Sequence, residues 1–391
     1  MREAGAVRDA ALAARDGRIV FVGPTDVCDT LIETTKGARV LDATGCSVVP
    51  GFVDSHTHAL YAGDRRDELR HRLAGATYEA IAAAGGGILA TVDATRNASL
   101  DELVEATRPR LAEMLRAGTT TAEVKSGYGL TVEDELKMLR AIRQLGQEQP
   151  MELVPTLMAA HEIPPEFRDC REAFVALLVD TLIPAVAAEG LAEWNDVFCE
   201  QGVFTPEEAV VILDAGRRAG LRPRVHANEL GPTGGARVAA AVGARSGDHL
   251  VFLEEEDVRA LAVSGVVATL LPAASFFLKL GRHAPARMLI ESGVPVALAT
   301  DVNPGGGLSP SMPFVMALAC FGMGLTFEEA LVASTLNAAY GLDRHDRTGS
   351  LERGKQCDAV VVRGPAIELL RAGAPVIRQV IKRGAVVFSA E

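Results

Sequence analysis

The chain has 391 residues, 48% hydrophobic and 23% charged, which places it among globular proteins able to bury a large core and excludes a disordered chain. Thirty-nine basic against 51 acidic residues give a formal charge of -12 with no dense Lys/Arg run, so nucleic acid and anionic membranes are poor partners and small molecules better ones. Six cysteines (Cys28, Cys46, Cys170, Cys199, Cys320, Cys357) show no Cys-x-x-Cys spacing, and no apolar run approaches the roughly 20 residues of a membrane span, so a reduced, cytoplasmic protein is expected.

From the N-terminus, residues 1 to about 50 hold short strand-like runs, Arg18 to Val22 and Ala38 to Leu41, broken by Gly17, Gly23 and Gly37. The tail behaves alike, with strand patterns over Ala359 to Val362, Pro375 to Ile381 and Ala385 to Phe388 around a turn at Arg383-Gly384. Neither end can bury a core alone. The two are expected to pair into one small β-sandwich domain (residues 1–50 and 346–391), with the N-terminal share short by one strand.

Between them apolar runs alternate with helical stretches, the pattern of βα units and a parallel sheet. Eight strands are expected: Gly51 to Asp54, Thr119 to Val124, Leu153 to Ala159, Trp194 to Cys199, Arg222 to His226, Arg245 to Leu250, Val266 to Leu271 and Val296 to Thr300. Thr205-Pro206-Glu207-Glu208 and Thr326-Phe327-Glu328-Glu329 read as capping boxes, and Val132, Leu136, Leu139, Ile142 and Leu145 make one apolar helix face. Eight such units predict a closed (β/α)8 TIM barrel over residues 51–345, α/β in class, with its active site at the carboxyl ends of the strands.

Those ends are where the histidines gather. His56 and His58 follow the first strand at a spacing that puts both side chains on one face, and His161, His226, His249 and Asp301 follow the third, fifth, sixth and eighth. An isolated His-x-His is more often a pair of solvated loop residues; six such groups at strand ends reverse that reading. Three imidazoles and a carboxylate suit zinc or another divalent first-row metal such as iron, with His56, His58, His226 and Asp301 as chosen ligands. Glu229, three residues after His226, is placed to handle a water proton, and His249 to orient the water. Arg65 and Tyr128 are candidates for a substrate carboxylate, with Tyr78 and His161 flanking a small polar ring. A second metal is not expected, and Lys125 is read as structural or substrate-adjacent. The glycine runs at 85–87 and 305–307 lack phosphate-loop spacing.

Pro50-Gly51-Phe52-Val53-Asp54-Ser55-His56-Thr57-His58 resembles the first-strand signature of the amidohydrolase superfamily. Arg72 to Tyr78, Ala84 to Ile88, Glu123 to Leu130 and Ala299 to Gly305 further resemble its branch that opens an imidazolone ring. The resemblance implies addition of water to 4-imidazolone-5-propanoate to give N-formimino-L-glutamate in histidine degradation, one zinc or iron ion, and a homodimer. It implies His56, His58, His226 and Asp301 around the metal, Glu229, His249 and Asp301 as catalytic groups, and Arg65, Tyr78, Tyr128, His161 and Asn303 around the substrate. The family usually has one more strand ahead of the part matching Arg18 to Gly23, and Ser or Thr where Gly306 and Gly307 stand, so backbone N–H groups there are expected to meet the substrate carboxylate instead. A cytosine- or guanine-type deaminase uses the same histidines and acids but has no purpose for a carboxylate clamp, and a non-catalytic barrel has none for a full ligand set.

Overall fold

The computed structural model describes residues 4–76 and 86–390. The chain begins with a hairpin, β1 (Ala10–Arg15) and β2 (Arg18–Pro24), paired antiparallel. β1 is the strand expected to be missing. Its Ala-rich sequence has little intrinsic preference for a strand, and the turn creates it: Asp16 and Gly17 have φ of 52° and 76°, the left-handed pair that an Asp-Gly hairpin turn requires. Ala38 to Leu41, expected as a strand, has no regular structure; Val40 is 80% exposed, and the ladder is made instead by β3 (Cys46–Pro50).

The eight barrel strands follow, close to the expected positions: β4 (Phe52–Asp54), β5 (Thr119–Lys125), β6 (Glu152–Ala160), β7 (Trp194–Cys199), β8 (Arg222–Ala227), β9 (Ser246–His249), β10 (Val267–Leu270) and β11 (Val296–Leu298). Each runs parallel to the next in chain order. The sheet thus curls into a (β/α)8 barrel. At the seam between its first and last strands the closure comes from residues at the strand ends: Asp301 N–H donates to His56 O at 3.1 Å and His58 N–H to Val302 O at 2.9 Å. Thr300 adds two bonds to the Asp54 carboxyl, from N–H to Oδ1 at 3.0 Å and from Oγ1 to Oδ2 at 2.6 Å. Burial pushes that carboxyl up to about 7.

The surrounding helices start where their caps dictate. Thr205 and Glu208 exchange side-chain and backbone bonds ahead of Pro206–Arg218, and Thr326 and Glu329 do so ahead of Phe327–Ala333. Val132–Glu148 buries Leu136, Leu139, Ile142 and Leu145 against the sheet. The strands β12 (Ala359–Arg363), β13 (Ile377–Lys382) and β14 (Ala385–Ser389) complete the fold in a four-stranded antiparallel sheet of order β14-β13-β12-β3. Ile19 of the hairpin shares a small apolar cluster with Cys357, Ala359, Val361 and Ile381 of that sheet, so both chain ends meet over one core. No helix of the described residues is long and apolar enough to cross a membrane.

Inside the barrel the amino ends of the strands are plugged by Val53, Val154, Trp194, Val267 and Ala297. Above this plug lies a buried charged layer of Glu123, Lys125, Asp196, Arg224 and Asp248, and above that the histidines. The seam is the first place where fold and site share atoms. Thr300→Val should leave Asp54 Oδ2 buried without its donor and lower the unfolding free energy by about 1–3 kcal/mol in a denaturant titration; an unchanged midpoint and slope would show that the Asp54 contact does not close the barrel.

Candidate active site

His56 and His58 continue β4 as extended chain, and the residue between them is clamped: Thr57 N–H donates to Glu123 Oε2 at 3.1 Å and Thr57 Oγ1 to Glu123 O at 2.6 Å. With Thr57 turned to β5, both imidazoles face the barrel axis. β8 brings His226 to the same point, with His58 Nε2 and His226 Nε2 3.2 Å apart. Asp301 Oδ1 lies 3.6 Å from His56 Nε2 and 3.7 Å from His58 Nε2. His249 joins from the end of β9, its ring centroid 5.4 Å from that of His56 and 5.1 Å from that of His226.

The far nitrogens of two rings meet carboxylates. Asp248 Oδ2 accepts from His56 Nδ1 at 2.7 Å, while Asp196 Oδ1 lies 3.1 Å from His226 Nδ1 and accepts the His226 backbone N–H at 3.2 Å. In His56, a proton held on Nδ1 by Asp248 leaves the Nε2 lone pair pointing at the centre. Burial first, then neighbouring cations and imidazoles, holds His56, His58 and His249 well below the usual histidine range, so they are neutral donors at pH 7. Among the described residues His56 Nε2 is buried with no hydrogen-bond partner. Burial also pushes the Asp301 carboxyl up to about 8. Two groups of three side chains, His56-His58-Asp301 and His56-His226-His249, each bring one donor atom within 4.8 Å of the others. The unpartnered His56 Nε2, the crowded Nε2 atoms of His58 and His226 and a carboxyl that has lost its solvation fit a divalent cation, which would satisfy all of them at once.

Glu229 Oε1 is 3.5 Å from His249 Nδ1, and burial followed by the nearby Asp301 and Glu200 raises its carboxyl well above the usual range. Asn228, His249, Leu250 and Asp301 have φ of 51°, 73°, 55° and 52°. Positive φ at non-glycine residues is costly and clusters where backbone must aim a side chain. Asn228 holds one such turn by donating Nδ2 to Phe252 O at 2.8 Å and accepting Ala236 N–H at 2.9 Å.

His161 stacks on His58 at 4.8 Å between centroids and 19° between planes, its Nδ1 3.0 Å from Gly127 O, and burial pushes its pKa down to about 3. Tyr128 lies against both rings, 5.9 Å from His58 and 5.3 Å from His161. Arg65 makes a two-point contact with Glu68, Nε to Oε1 at 2.9 Å and Nη2 to Oε2 at 2.7 Å. Tyr78 lies outside the described residues.

The loop after β11 is bonded to itself. Asn303 spends its amide inside the loop, donating to Asp301 O at 2.8 Å and accepting the N–H groups of Gly305 at 2.8 Å and Gly306 at 2.6 Å. Of the two N–H groups expected to meet a substrate carboxylate, that of Gly306 is thus engaged within the loop. A Cβ on Gly307 would fall 1.6 Å from Asp301 O, and one on Gly305 2.4 Å from Arg65 Nη1. The glycines let the loop press on Asp301 from one side and Arg65 from the other.

Sequence reasoning missed the carboxylates behind the rings, and Lys125 is settled here. Its ammonium is fully buried, 2.6 Å from Glu123 Oε1 and 2.7 Å from Asp196 Oδ2, so it does not lie beside a substrate. A signal existed: Glu123 and Lys125 flank Val124, and Arg224 stands between Pro223 and Val225, in strands buried on both faces, and period two turns such residues inward. Gly307→Ala should displace Asp301, lowering the melting temperature and the uptake of divalent metal together; a variant matching the parent in both would show that the loop can move without disturbing Asp301.

The model of the Amidohydrolase family matches residues 47–387. The imidazolonepropionase of Symbiobacterium thermophilum is 50% identical over 387 residues, 98% of this chain and 91% of that protein. That of Geobacillus kaustophilus is 47% identical over 93% of this chain and 86% of its own length. Among solved structures, 5-methylcytosine deaminase from Klebsiella pneumoniae superposes with a TM-score of 0.75 at 16% identity, covering 98% of this chain and 95% of that one. Guanine deaminase from E. coli gives 0.74 at 18%, with 98% and 93% covered. At such identities the two structures establish the barrel and its appended sheet but not the substrate. The chain belongs to the amidohydrolase family and, within it, to the imidazolonepropionases.

Proposed function

We propose that the chain hydrolyses 4-imidazolone-5-propanoate to N-formimino-L-glutamate, and that His56, His58, His226 and Asp301 hold one zinc or iron ion for this reaction. The observation that carries the reading is the pair of buried triads that share His56, one with His58 and Asp301 and one with His226 and His249, with the Glu229 carboxyl beside His249. A divalent ion at such a site supplies acidity to water and electron withdrawal from a carbonyl oxygen.

The chain's own residues do the rest. Water adds its oxygen to the ring carbonyl carbon, the bond from that carbon to the ring nitrogen breaks, and one proton passes from water to that nitrogen. Glu229 is the group that carries it: a carboxyl raised by burial both takes a proton from water and returns it at neutral pH. His249, 3.5 Å from Glu229, fixes its direction. His161 and Tyr128 wall the ring and exclude bulk water. Arg65, steadied by Glu68 and close against Gly305, is the group that would take the propionate. All six cysteines are free, which supports a reducing, cytoplasmic setting.

Metal-replete protein should consume 4-imidazolone-5-propanoate, followed by its absorbance; no turnover would refute the reading. His226→Ala should abolish metal binding and activity together. Glu229→Gln should keep the metal and lose at least about a hundredfold in kcat, and a near-normal rate would remove Glu229 from the chemistry. Arg65→Ala should raise KM more than it lowers kcat, because a contact remote from the reacting atoms binds ground and transition states alike; a pure kcat loss would contradict the clamp.

A further inference from the structure

We propose that Lys125 is a positioning residue for the metal ligands: its buried ammonium joins the His56-Thr57-His58 segment to His226 and so sets how tightly these histidines hold a divalent ion. The inference rests on the ligand assignment above. Lys125 is not a catalytic residue, since it is sealed under the histidines with no exposed surface.

The connection is continuous. Lys125 Nζ donates to Glu123 Oε1 at 2.6 Å, and the other oxygen of that carboxylate accepts the Thr57 N–H at 3.1 Å. In the other direction Nζ donates to Asp196 Oδ2 at 2.7 Å, and Asp196 Oδ1 accepts the His226 N–H at 3.2 Å and lies 3.1 Å from its Nδ1. The Lys125 N–H itself donates to Thr57 O at 3.0 Å. Thr57 is flanked by two of the four proposed ligands, and His226 is the third. A single cation therefore fixes the separation of two ligand-bearing strands that do not pair with one another, β4 and β8. Arg224 does a parallel task for His56 alone, donating to Asp248 Oδ2 at 3.1 Å and to Ser55 O at 2.8 Å.

Stability does not account for this arrangement. Buried ion pairs gain little over well-packed apolar groups of the same volume, because both partners are stripped of water. Five charged side chains in one barrel layer are a poor way to fill it and a good way to hold directional ligands, since Glu123 and Asp196 each give one oxygen to Lys125 and the other to a ligand-bearing segment.

The test uses the full chain stripped of metal and titrated with Co2+ alone, reading the dissociation constant, the visible Co2+ absorption bands and the far-ultraviolet circular dichroism. Two variants are compared with the parent: Lys125→Met, and Lys125→Met with Glu123→Gln, which removes one charge of each sign and keeps an acceptor for Thr57. The expected result is folded protein whose Co2+ affinity is weaker by about 10- to 100-fold, the range for losing a partner behind a metal ligand, with altered bands and a kcat that falls more than KM rises. Folded variants with parental affinity and bands would overturn the proposal, and so would failure of both variants to fold, which would make Lys125 a residue of the fold and not of the site. The Co2+ measurement stands even if the parent leaves 4-imidazolone-5-propanoate untouched, so the two claims fail separately.

Discussion

The site depends on keeping imidazoles neutral and aimed while burying them completely. Burial, with the neighbouring cations and imidazoles, keeps His56, His58 and His249 neutral, but it does not decide which nitrogen carries the proton. For His56 that decision comes from Asp248, which faces Nδ1 and leaves Nε2 for the centre, while Asp196 holds His226 through its backbone N–H. The carboxylates are themselves buried and must be paired, which is why Arg224 and Lys125 occupy the same layer. Three carboxylates against two cations leave this layer one positive charge short, a deficit that a divalent ion directly above it would offset.

The same constraint links the site to barrel closure. First and last strands meet through Asp301 N–H to His56 O and His58 N–H to Val302 O, so the backbone that closes the sheet is the backbone that carries three candidate ligands. Asp301 pays for its position with a left-handed φ of 52°, and the Asn303 amide and the side-chain-free Gly307 hold it there. Loosening the seam and loosening the site are therefore one event.

Much of this was legible in the sequence, for identifiable reasons. Parallel strands buried on both faces appear as unbroken apolar runs, and histidines following such runs stand out against them, so the barrel strands and His56, His58, His226 and His249 could be located without coordinates. The hairpin strand Ala10–Arg15 could not be read from its alanines, although Asp16-Gly17 announced the turn that makes it. Glu123 and Lys125 interrupt their strand at period two but carry no partner information, because Lys125 and Asp196 are separated by 71 residues and meet only through the order of strands. That the Asn303 amide points back into its own loop is a property of the backbone turn and not of residue type.

The most direct measurement is mass spectrometry of the product formed from 4-imidazolone-5-propanoate by metal-replete protein in 18O-labelled water, with ammonia assayed in parallel. The account predicts N-formimino-L-glutamate carrying one labelled oxygen in its new carboxylate and no ammonia released. Ammonia release, or ammonia from cytosine or guanine with the imidazolone left intact, would contradict it.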